Sequence, residues 1–256
     1  MTPHSLTKKT NILKKNDGNA LVLILILIAL LAALTTVAMR SSSRSSSNMD
    51  VETARIQSEK LMRQAKSFES GIGQLMSANQ CSSNDVNFVN ATTTRVYTNA
   101  NSPVSKICDL FSLEGAGQTY SNPNSVILDA SQSARSDYGQ WVFTGSHCVL
   151  GIGSDDNNAC VDSEIALIAI VPHVNLSTCL QINNMNGIEN PSGAPPTESY
   201  DDTAPEFTGT YTAIGDPELG ETASGLPLVG QTTGCFKNTS GAWSNSYIFY
   251  HVLNAR

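Results

Sequence analysis

Four histidines are the first residues to test for chemistry: His4, His147, His173 and His251. None belongs to an HExxH pair, and no GxSxG elbow supplies a nucleophile, so metalloprotease and α/β-hydrolase chemistry have no sequence footing. His147 adjoins Cys148, but neighbouring residues on a strand point to opposite faces, which argues against a Cys/His dyad. His173 follows Pro172 at the end of an apolar run, and His251 alternates with Tyr250 and Val252. Both read as structural imidazoles, and the chain is expected not to be an enzyme. Hard oxygen ligands gather at Asp155, Asp156, Asn157, Asn158, Asp162 and Glu164, a set that could hold calcium, although the spacing is not that of an EF-hand. A solvated polar turn is the competing reading there, and no other cofactor is expected. A second acidic group, Glu198, Asp201, Asp202 and Glu206, reads as plain surface.

Cys81, Cys108, Cys148, Cys160, Cys179 and Cys235 make an even set with wide spacings and no CxxC pair. That pattern predicts disulfides formed in an oxidising compartment rather than a zinc site. Short loops favour Cys81 with Cys108, Cys148 with Cys160 and Cys179 with Cys235, although six cysteines allow about fifteen pairings.

The elements that would carry these residues begin with a basic leader, residues 1–18, holding Lys8, Lys9, Lys14 and Lys15. An uncharged apolar run follows over residues 20–39, and a helix of that length rises about 30 Å. It predicts a transmembrane helix over 19–39 with the leader in the cytoplasm and the rest beyond the membrane. Signal-peptide cleavage near Thr36, Val37 and Ala38 is the alternative. From residue 40 to 76, Val51, Ala54, Leu61, Ala65, Phe68, Ile72 and Leu75 recur at spacings of three and four, with Ser58 filling one step. This is the stripe of an amphipathic helix. Residues 77–256 then read as a β-rich domain, with strands over 125–129, 140–144, 164–171 and 247–253. Antiparallel pairing is expected, interrupted by a long acidic loop over 186–234. Ten of the fifteen Lys and Arg lie at or before Lys66, and none lies between Arg135 and Lys237. The acidic distal part argues against nucleic-acid binding.

A basic leader ending in Gly18, an apolar helix starting at once, an amphipathic continuation and a cysteine-bearing β domain resemble a type IV pilin-like protein. The family includes pilins and the pseudopilins of type II secretion. The resemblance covers residues 8–75 and is architectural beyond them. It implies an α+β fold in which a long N-terminal helix, transmembrane half plus amphipathic half, packs on a small antiparallel β domain. It implies cleavage after Gly18 by a prepilin peptidase and methylation of Asn19. The family's glutamate at the fifth mature position is Leu23 here, which implies a minor or tip subunit rather than a major one. Other pilin-like subunits would be partners, and the location would be the inner membrane, single-pass, with a periplasmic C-terminal domain. A membrane-anchored periplasmic adhesin or binding domain is the alternative, and an anchored periplasmic enzyme a further one.

Overall fold

A computed structural model describes residues 19–154, 160–200, 206–214 and 218–256; within the first helix, side chains are described for 22–33, 35 and from 52 onward. Helix α1 runs Asn19–Ser77, and the chain divides into two compact units between Asp50 and Val51.

In the first unit the nine large apolar side chains from Val22 to Leu31 are each 52–61 % exposed. Among the described residues, no helix is long and apolar enough to cross a membrane. This corrects the transmembrane segment expected over 19–39, and with it the single-pass inner-membrane location.

The second unit is built on a five-stranded sheet, β1 (Val142–His147), β2 (Ala166–Val174), β3 (Thr197–Glu198), β4 (Thr233–Asn238) and β5 (Tyr247–Asn254), in the order β1-β2-β5-β4-β3. The expected all-antiparallel sheet is also corrected, because β3 pairs with β4 in parallel. That exception arises where the acidic excursion returns to the sheet edge and lays two residues beside Lys237 and Asn238. β2 is buried along its whole length, as a central strand covered on both faces must be.

Helix α1 covers one face of this sheet with Leu61, Ala65, Phe68, Ile72 and Leu75, all buried. Phe68 meets Trp141 edge-on at 5.2 Å and Phe143 at 5.6 Å, tying the stripe to β1. On the same face lies a helix absent from the sequence reading, α2 (Leu176–Asn186). The side chain of Asn175 caps its first turn, and Gly187 ends it at φ 71°, a left-handed conformation that favours glycine. The residues read as a strand over 125–129 instead hold a 3-10 turn, Ser125–Ile127, whose start is capped by Asn124.

Disulfides join Cys81 to Cys108, Cys148 to Cys160 and Cys179 to Cys235. The last fastens α2 to β4. Beside it, the buried Asn183 amide accepts from the Cys235 N–H and donates to the Cys235 carbonyl, both at 2.9 Å, mimicking a strand partner.

Candidate functional site

Residues at spacings of three and four share one side of a helix, and Glu59, Met62, Arg63 and Lys66 therefore form a wall along the flank of α1. Opposite stand Asn186, at the end of α2, Thr232 just before β4, and Thr233 and His251 of the sheet. Between them opens a cleft of about 450 Å3.

Thr233 and His251 are direct partners across the β4–β5 pairing, so their side chains emerge together on the face that α1 covers. The Thr233 hydroxyl is hydrogen-bonded to His251 Nδ1, and His251 Nε2 lies 2.8 Å from Glu69 Oε2. Lys66 Nζ sits 2.8 Å from the same oxygen. Burial pushes the Glu69 carboxyl up, but the hydrogen bonds and charges of Lys66 and His251 outweigh it and hold the group below its ordinary value. Burial dominates at His251 and lowers its pKa, against the upward pull of Glu69. At neutral pH the pair is therefore a carboxylate and a neutral imidazole. A carboxylate only accepts, so the ring proton resides on Nε2, Nδ1 is left as an acceptor, and the Thr233 hydroxyl must be the donor to it. The arrangement polarises the Thr233 oxygen as a nucleophile–base–carboxylate relay does.

A second histidine also links a hydroxyl to a carboxylate. His173 is fully buried, with Nδ1 2.9 Å from Ser246 Oγ and Nε2 3.2 Å from Asp137 Oδ2. It sits at φ +60°, where the β2–β5 register shifts between Val171 and Val174. Pro172 lacks the N–H that a central strand needs, and the bulge accommodates it. Burial raises the Asp137 carboxyl, but the hydrogen bond and charge of His173 bring it below its ordinary value. Ser246 is 4 % exposed and Trp243 packs edge-on against the imidazole, so this relay is a sealed clamp joining the 137 turn, β2 and the start of β5. His147, the third histidine of the domain, is also buried and stacks on Tyr200 at 4.1 Å.

Only some of the acids read from the sequence lie among the described residues. Asp155 and Asp156 lie outside the described residues, as do Asp201, Asp202 and the processing residue Gly18. Asn19 opens α1. Asp162 Oδ1 accepts from the Ala213 N–H at 2.9 Å, and Glu164 Oε2 from the Val161 N–H at 3.4 Å. Among the described residues, no three metal-ligating side chains converge. Glu206 pairs with Arg95 at 2.8 Å. Glu198, read as surface, is instead 1 % exposed. Its Oε1 accepts from the Gly220 N–H at 2.9 Å, while Oε2 has no hydrogen-bond partner among the described residues. Burial pushes this carboxyl up to about 7.

Sequence reasoning missed both relays because Glu69 and His251 stand 182 positions apart, and Asp137 and Ser246 meet only through His173. No local motif carries them. No protein-family profile, curated protein or solved structure matches this chain.

Proposed function

We propose that this chain is a minor or tip subunit of a pilin-like filament, processed after Gly18 and assembled through helix α1. One observation carries the reading. Residues 22–31 expose large apolar side chains at nearly every position, and at 3.6 residues per turn such a run presents apolar surface around the whole circumference. A helix that is apolar all round is stable only when it is covered on all sides, which calls for several neighbouring helices rather than one flat partner. A filament core of like helices supplies that environment, with association resting on close packing. The second unit supports the reading differently. It has its own core and three disulfides, and so suits display on a filament in an oxidising compartment. The proposed role is assembly and display.

The test is the mass and N-terminal sequence of the chain after co-expression with a prepilin peptidase. A start at Asn19, carrying one added methyl group, supports the proposal. A start at Met1 in the presence of an active peptidase contradicts it.

A further inference from the structure

The cleft beside α1 carries chemistry that assembly does not use. We propose that Thr233 is a nucleophile, activated by His251 as general base and positioned through Glu69, that takes acyl groups from small carboxylic esters entering the cleft. Two observations carry it. The hydrogen-bond roles are forced, since an ionised Glu69 holds the ring proton on Nε2 and turns Nδ1 toward the Thr233 hydroxyl. Both reacting residues line an open cleft of about 450 Å3, large enough for a small ester. Arg63 and Lys66 also line the cleft, each paired with a carboxylate, Glu59 at 3.2 Å and Glu69 at 2.8 Å. The Ser246–His173–Asp137 relay fails the second condition, because its serine and histidine are sealed among the domain's side chains.

The step balances without a further reagent. Thr233 Oγ1 adds to the ester carbonyl carbon as its proton passes to His251 Nδ1. The tetrahedral intermediate collapses, the carbon–oxygen bond to the alcohol breaks, and the alcohol leaves with the proton from His251. Water, deprotonated by the same Nδ1, then attacks the acyl-threonine, releasing the carboxylic acid and restoring the hydroxyl. Glu69 touches none of the reacting atoms and is a positioning residue.

The charged groups facing His251 are Glu69 and Lys66, with Glu59 and Arg63 farther along the same side of α1. Acylation should therefore rise as the imidazole loses its proton, with a midpoint below the ordinary histidine value of about 6.5. Glu69 raises that midpoint, so E69Q should move it to lower pH. A substitution that only loosened the fold would not shift it in that direction.

The experiment treats the full-length chain with 4-nitrophenyl acetate and maps acetylated peptides by mass spectrometry, separating Thr233 from lysines acetylated directly. Acetyl on Thr233 is expected, with the rate at that residue cut about 100-fold or more in H251Q. T233V keeps the side-chain shape without the hydroxyl and should carry no label, while T233S should restore it. Each variant is first shown to unfold at the parent's urea midpoint or within its cooperative transition, so that loss of label is not loss of fold. Acetyl found on lysines alone, or Thr233 labelling unchanged by H251Q, overturns the proposal.

Discussion

Glu69 Oε2 lies 2.8 Å from His251 Nε2 and thereby joins the flank of helix α1 to β5, the central strand of the sheet. The contact lies at the rim of the apolar stripe, where Phe68 is buried and Glu69 is half-exposed. Its contribution to stability is therefore modest. E69A should lower the free energy of unfolding by about 1 kcal/mol, measured by urea titration at pH 7.5.

The same pair sets an acid limit. Both pKa values are depressed in the folded state. For His251, the unfolded ring binds a proton near pH 6.5 while the folded ring resists it, so stability is lost as pH falls below about 6.5. For Glu69, stability present above its ordinary value of 4.5 is lost as pH falls through the lower folded value. H251Q should flatten the first decline and weaken the second, because His251 is one of the two groups that hold Glu69 down, and urea midpoints taken between pH 3 and 8 will read both.

Glu198 acts in the opposite direction. Its folded pKa is raised to about 7 from 4.5, so the fold favours the protonated carboxyl. That stability is complete below 4.5 and is lost as pH rises toward 7. E198Q keeps the shape without the charge and should stabilise the protein at pH 8 by on the order of 2 kcal/mol, with little effect at pH 4. The carboxyl is also confined sterically. A Cβ added at Gly225 would fall 1.3 Å from Glu198 Oε1, so G225A should destabilise by about 1–3 kcal/mol, an effect that E198A in the same chain should reduce.

Removing the disulfide between Cys179 and Cys235 frees a long loop that holds the whole acidic excursion over 186–234. With its ends 56 positions apart in the sequence, C179A/C235A should cost roughly 3–4 kcal/mol, read as a lower thermal midpoint. A marked loss is expected even though Asn183 still grips β4 through two hydrogen bonds.

What could be read from the sequence follows the range over which each signal acts. The stripe from Ala54 to Leu75 was visible because helical spacing is local, and it is the face that packs on Trp141 and Phe143. The runs around 140–144, 164–171 and 247–253 overlap β1, β2 and β5 for the same reason. Helix α2 carries few apolar residues and many asparagines, so periodicity passed over it, although Asn175 and Gly187 mark both its ends. The strand expected over 125–129 was read from a short apolar run, and Asn124 in front of it was the cap of a turn. The transmembrane reading rested on composition over 20–39, and the described helix does not meet the length and apolarity that crossing requires. Glu198 looked like its acidic neighbours in the chain, because burial by residues 220 and 225 leaves no mark in the local sequence. The two histidine relays depend wholly on strand pairing and on where α1 lies over the sheet.

Assembly through the all-round apolar run of α1 is tested most directly by placing a photo-crosslinking residue, one at a time, at Leu23, Ile24, Leu25 and Ile26. Successive positions on a helix turn by about 100°, so the four sweep its whole circumference. The account predicts crosslinks to other helical subunits from all four positions when the chain is expressed with its assembly partners. Crosslinks from none of them, or from one face only, would contradict burial among several like helices.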